Sequence, residues 1–299
     1  MTSYAFETVD VFTNRRFGGN PLAVFPDARG LTDAQMQAIA REFNLSETTF
    51  VLPPANPRNH ARVRIFTPAH EMPFAGHPNV GTGFVLARAM EHPPEHLTFE
   101  EIAGLVRVHI QRGADKQIAG ARVSAPQPLS IKDAVRVETV AACASLTLAD
   151  ILVDAHHPLI ASVGTDFAIA ELTNIEALAR ATPDIAAFRA AAAGTGGRFA
   201  LHLYVRRDGD ATRLRARMFA PLGGVLEDPA TGSANAALSA LLTSIAPGEN
   251  GDFHYEIEQG IEMGRPSLLI GSGRKTAEGP VTATVAGDCV PVMRGTLDV

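Results

Sequence analysis

Glu227 and Asp228 stand directly before Pro229, and Thr231, Gly232 and Ser233 follow after a single alanine, within the stretch RMFAPLGGVLEDPATGSAN at 217–235. Two carboxylates at a turn rich in Pro and Gly are groups that can take up or return a proton. From 232 to 245 no side chain is charged, so this segment reads as a helix buried on every face. The first backbone N–H groups of such a helix have no intrahelical partner and lie at the positive end of the macrodipole. That end suits a substrate carboxylate or a developing enolate. A capped core helix without any ligand fits the same residues.

The pattern occurs twice. RIFTPAHEMPFAGHPNVGTGF at 64–84 repeats R-x-F-x-P, an acidic residue, a turn of small residues with Pro, and an uncharged helix start. The R-x-F-x-P elements lie 153 residues apart, half the chain, and there are two of them, which reads as a duplicated domain and not as a solenoid. Two buried helices, one per half, are expected to point their N-termini at one cleft, a common location for small-molecule sites. In the first copy, Gly76 lets a backbone N–H approach a ligand closely, and His77 can donate a hydrogen bond or carry a proton. A histidine at a helix start also serves as a cap or as packing. His70, Glu71 and His77 do not follow H-E-x-x-H, and Pro73 interrupts them, so no metal site is expected. Glu47, flanked by Ser46 and Thr48 at a strand entrance, suits either a pKa-tuned acid/base or a solvated turn. Asn20, among the turn residues before Pro21, reads as structural.

The elements that must position these groups alternate along the chain. Strands are expected at 4–12, 22–25, 49–52 and 61–67, with an amphipathic helix carrying Met36, Ile39, Ala40 and Phe43 on one face, capped by Thr32 or Asp33. A core helix from about Asn79, a hairpin, and a strand at 118–124 follow. APQPLS at 125–130 reads as the linker. The second half is expected to hold helical material at 132–144, strands at 159–163 and 167–172, a helix capped by Thr173, and a helix at 186–197 closed by glycines. Strands at 199–206 and 212–219 lead into the second motif, and 281–285 and 290–294 read as separate strands. The domains are therefore 1–125, to which 286–299 can return, and 126–285.

With 299 residues the chain can build two ordinary domains, and 46% hydrophobic with 19% charged residues is a globular composition. A net charge of −6 with scattered arginines gives no footprint for nucleic acid. Cys143 and Cys289 form no C-x-x-C and no ligand spacing, and read as ordinary buried thiols. The acidic start MTSYAFETVDVF is unlike a signal peptide, and no apolar run reaches the about 18 residues of a membrane span. A cytoplasmic protein without membrane contact is expected.

NPLAVF, NLSETTFV, FTPAHEMPFAGHP, RMFAPLGGVLEDPATGSA and QGIEMGRPS resemble, in order and over nearly the whole chain, the motif series of the PhzF-like isomerases of phenazine biosynthesis. The resemblance implies an α+β fold like that of diaminopimelate epimerase: two similar domains, each a mixed, mostly antiparallel sheet around a central helix. It implies that Glu47 is the catalytic acid/base, that Gly76, His77, Asp228, Gly232 and Ser233 line the site, and that the enzyme is cofactor-free and homodimeric. Diaminopimelate epimerase and proline racemase place a cysteine at the turn of each half. Ala75 in FAGHP and Ala230 in DPATGS are read as the matching positions, which argues against a two-thiol racemase. What remains is proton transfer between carbons of a small unsaturated carboxylic acid, led by Glu47 with Asp228 sharing that duty. Another carboxylate-using epimerase or lyase, or a non-catalytic binder of a small acid, fits the same fold.

Overall fold

The uncharged segment that opens at Gly76 has no polar face to offer water, and in the computed structural model, which describes residues 2–193 and 197–299, it forms a helix buried without a break from Gly76 through Val85. The chain divides into two compact units, one running to Pro126 and joined by Ala286–Val299, the other covering Gln127–Val285. Both are mixed α+β.

The first unit contains β1 (Ser3–Val11), β2 (Asn20–Phe25), α1 (Asp33–Phe43), β3 (Glu47–Leu52), β4 (Ala61–Phe66), β5 (Glu71–Met72), α2 (Gly76–Ala89), β6 (His96–Glu101), β7 (Gly104–Arg112) and β8 (Ile118–Ser124). The last strand of the chain, β18 (Gly279–Asp298), supplies its final part to the same unit. β18 pairs with β1, β1 with β2, and the series continues through β3, β4, β6, β7 and β8 back to β18, so the sheet closes on itself. Closure removes exposed edges and encloses an interior. α2 contacts β1, β2, β3, β7 and β8. Gly81 makes that approach possible: a Cβ there would lie 2.6 Å from Leu22 Cδ2 and 2.8 Å from Val11 Cγ2. α1 lies outside, started by a Thr32–Gln35 capping box, with Met36, Ile39 and Ala40 packed among Phe25, Phe50 and Phe66.

The second unit contains β9 (Ser130–Ala134), α3 (Val137–Ala144), β10 (Ile151–Leu152), β11 (Leu159–Ser162), β12 (Asp166–Leu172), α4 (Ile175–Arg180), α5 (Ile185–Ala192), β13 (Leu201–Arg207), β14 (Asp210–Ala220), β15 (Val225–Asp228), α6 (Gly232–Ile245), β16 (Gly251–Gln259) and β17 (Ser267–Thr276). Pairing alternates parallel and antiparallel from β12 through β13, β14 and β16 to β17, as it does from β2 through β3, β4 and β6 to β7. α6 contacts β11, β12, β16 and β17, and like α2 it is 14 residues long.

Several local expectations are corrected. Residues 130–134 are a strand, because they pair with β11, and the helix starts only at Val137. Asn174 caps α4, accepting from the Ala177 N–H at 2.8 Å; Thr173 does not. The strands expected at 281–285 and 290–294 are one, and Pro291, which has no N–H to give a ladder, sits where the β1–β18 register shifts. Asn20 begins β2 instead of lying in the turn before it. The glycine-rich end expected for α5 includes 194–196, which lie outside the described residues. No helix among the described residues is long and apolar enough to cross a membrane.

Candidate active site

α2 and α6 begin alike. Each N-cap, Ala75 or Thr231, has extended backbone and makes no side-chain capping bond, so the first-turn N–H groups are left without that partner. Gly76 and Gly232 are the first residues of their helices, and His77 and Ser233 the second. The positions that match across the two turns are thus Ala75 and Thr231, which corrects the pairing of Ala75 with Ala230. Neither is a thiol.

In the first unit, α2 and β3 bring together two residues thirty positions apart in sequence. Glu47 is the first residue of β3, opposite Leu22 of the parallel neighbour β2, and its Oε2 lies 3.2 Å from His77 Nδ1. The Glu47 side chain keeps 16% of its surface exposed and His77 only 5%. Burial pulls His77 down to about 3, while the Pro21 carbonyl offsets part of the shift. A neutral imidazole carries no charge, so the 3.2 Å approach of the ring to the Glu47 carboxylate is a polar contact and not an ion pair. Asn20, fully buried, directly precedes that carbonyl. Glu47, His77, Gly76 and Asn20 therefore belong to one neighbourhood of the first unit.

In the second unit, Asp228 ends β15 and is 7% exposed. Its Oδ2 accepts from the Thr231 hydroxyl at 2.5 Å and its carbonyl accepts from Gln259 Nε2 at 2.7 Å. The turn is held further by Ser267 Oγ donating to the Pro229 carbonyl at 2.9 Å. The motif QGIEMGRPS is in this way the clamp of the DPATG turn. Glu227 plays no part in that clamp: Arg217 binds both of its oxygens at 2.8 Å. Arg64 holds Glu71 in the same manner at 2.7 and 2.6 Å, and each arginine lies over the Phe two residues on, at 5.0 Å for Phe66 and 4.9 Å for Phe219. The R-x-F and acidic parts of the repeat are structural.

Sequence reading missed Asn79 and Asn235. Each donates its side-chain amide to the N-cap carbonyl of its helix at 3.0 Å. G-x-x-N in both GHPN and GSAN carried that signal. His202, pulled down to about 4 by burial, bonds Asn235 Oδ1 at 3.1 Å, and nothing in the sequence marked it.

Both cysteines are buried away from these turns, Cys143 in α3 and Cys289 in β18 opposite Val11. Burial raises the Cys143 thiol to about 11 and pushes Cys289 up as well, so both stay protonated and poorly nucleophilic. The double substitution Cys143→Ala, Cys289→Ala is expected to leave turnover unchanged. A loss of rate in a variant with wild-type circular dichroism and melting would bring a thiol back into the chemistry.

The sequence profile of the phenazine biosynthesis-like protein family matches residues 9–295. A trans-2,3-dihydro-3-hydroxyanthranilate isomerase of Pseudomonas fluorescens is 38% identical over 97% of both chains. An uncharacterized isomerase of Mesorhizobium japonicum is 39% identical over 96% of both. Among solved structures, a phenazine biosynthesis protein of Bacillus anthracis superposes with a TM-score of 0.88 at 25% identity, covering all of both chains.

Proposed function

The chain belongs to the phenazine biosynthesis-like protein family and is an isomerase of that type, and from this premise we propose that it moves a proton between two carbons of a small unsaturated carboxylic acid, with Glu47 as the carrier. The observation that supports this most directly is the Glu47–His77 contact at the uncapped start of α2. With His77 orienting it through Oε2, the Glu47 carboxylate takes a proton from a carbon next to the unsaturated system and returns it at another. No electron is gained or lost, and no group leaves. The negative charge that develops in between is stabilised by the first-turn N–H groups of α2, which the helix already holds in orientation. His77 stays neutral, so it orients Glu47 without neutralising it.

Asp228, Gly232, Ser233, Gly76 and Asn20 are assigned to substrate binding and orientation. The Thr231 hydroxyl and the Gln259 amide hold Asp228 in place, and Ser233 offers a hydroxyl and a helix N–H to an anion. Ser233→Ala is expected to weaken binding of a carboxylate ligand by about 1 kcal/mol or more, since a hydrogen bond to a charged group contributes roughly 1.5–3 kcal/mol. Calorimetry checks it, and unchanged affinity would place the anion elsewhere.

The reading is tested by proton NMR in deuterated buffer with trans-2,3-dihydro-3-hydroxyanthranilate and a series of small unsaturated carboxylic acids. Isomerisation, with solvent deuterium entering at carbon, is the expected outcome. A protein that binds these acids but neither isomerises them nor exchanges their C–H hydrogens is a binding protein.

A further inference from the structure

The buried polar groups around the two helix starts share part of one plan, and at one position of it an amide is exchanged for a carboxyl. In the second unit both polar atoms of the Asn235 side chain have partners: Oδ1 meets His202 Nε2 at 3.1 Å, and Nδ2 donates to the Thr231 carbonyl at 3.0 Å and to Gln259 Oε1 at 2.7 Å. Gln259 Oε1 also accepts from the Thr231 N–H at 3.2 Å. In the first unit Asn79 repeats the bond to the N-cap carbonyl. The residue at the place of Gln259 follows from register. Arg62 faces Glu100 across the parallel pair β4–β6 as Arg215 faces Glu258 across β14–β16, and the next residue is Glu101 where the second unit has Gln259.

Both Glu101 carboxyl oxygens are buried without a hydrogen-bond partner among the described residues, and so is Asn79 Oδ1. The polar group acting on the carboxyl is the Asn79 amide. An ionised carboxylate would add two acceptors to a third that already lacks a donor, a costly arrangement in a buried place. A carboxylic acid supplies the missing hydrogen: like a glutamine amide it has one donating and one accepting end, with one hydrogen to give where the amide has two.

We propose that Glu101 is the positioning residue of the first turn of α2, working as a neutral carboxylic acid in the place that Gln259 takes in the second unit. Its O–H reaches Asn79 Oδ1, Asn79 fixes the Ala75 carbonyl, and Gly76 and His77 hang on that turn. The hairpin that carries Glu101 is tied to the same turn by the Ala103 N–H bond to the Pro73 carbonyl at 3.1 Å. Burial raises Glu101 to about 8, opposed only by the Asn79 amide; no charged group acts on it, and His77 on the same turn is held neutral. The stability carried by the neutral form is fully present below the ordinary glutamic value of 4.5 and is lost as pH rises through about 8.

The kinetic arm of the test rests on the isomerase reading; the other two do not. Carbon-13 NMR of glutamate-labelled protein is expected to show one carboxyl titrating near pH 8 that disappears in Glu101→Gln. The melting temperature of Glu101→Gln is expected to gain on the wild type as pH rises from 5 to 9, since the amide cannot ionise. In the isomerisation assay, the wild-type kcat should fall on an alkaline limb that Glu101→Gln lacks, while Glu101→Ala loses kcat more than KM. A Glu101 carboxyl that titrates in the ordinary range, a melting difference independent of pH, or an unchanged alkaline limb in Glu101→Gln would each overturn the proposal. Should no acid be turned over, the proposed function fails, and the titration and the melting curves still decide the role of Glu101.

Discussion

Glu47→Gln is expected to lower turnover by ~10²–10⁴, the usual contribution of a general acid/base, with little change in substrate binding. The substitution is close to isosteric. The amide has the size and shape of the carboxylate, so it can keep the 3.2 Å contact with the neutral His77 ring at the start of α2. What the amide cannot do is accept a proton from carbon. Incorporation of solvent deuterium into the substrate should therefore stop together with isomerisation. Asp228→Asn should behave differently: its side chain meets the Thr231 hydroxyl and its carbonyl is held by Gln259, so the change disturbs orientation and charge and slows the reaction without ending exchange. The two variants and the wild type are compared in one NMR experiment. Wild-type rates of exchange and turnover in Glu47→Gln would make Glu47 a structural residue and transfer the role of base to Asp228.

Arg217→Ala is expected to cost about 3–5 kcal/mol of stability, the range found when one partner of a buried ion pair is removed. The side chain is 7% exposed and its guanidinium is fully engaged. Nε and Nη2 hold Glu227, Nη1 donates to the carbonyls of Leu178, Ala179 and Ala181 at 2.9, 3.3 and 2.7 Å, and the ring of Phe219 lies beneath at 4.9 Å. Those carbonyls end α4, so the arginine also sits at the negative end of a helix dipole. Its removal leaves Glu227 charged and several acceptors without donors. Arg64→Ala should cost less, because one of its partners, Asp33, is 84% exposed and can be rehydrated. Denaturant unfolding of both variants measures the difference. A loss under about 1 kcal/mol for Arg217→Ala would mean that water replaces the guanidinium, as it does for exposed pairs.

The amino-acid sequence by itself determined the duplicated plan. Absence of charge over a helix length can be met in water only by burial, so the residue types alone place α2 and α6 in cores, and Gly81 marks a close helix–strand approach. Local chemistry was enough where partners are near in sequence, as in the Thr32 capping box. It failed where a distant strand decided: 130–134 pairs with β11 whatever its own helical leaning, because tertiary pairing overrides propensity. The same limit governs the site. Glu227 and Asp228 are adjacent carboxylates, yet β15 turns one toward Arg217 of β14, and the turn that follows gives the other to Thr231. Nothing near Glu47 in sequence names His77, and nothing near Glu101 names Asn79. Contacts, desolvation and hydrogen bonding sum over atoms that only the folded chain gathers, and they decide which of several like carboxyl groups is paired, which is open to a ligand and which stays neutral.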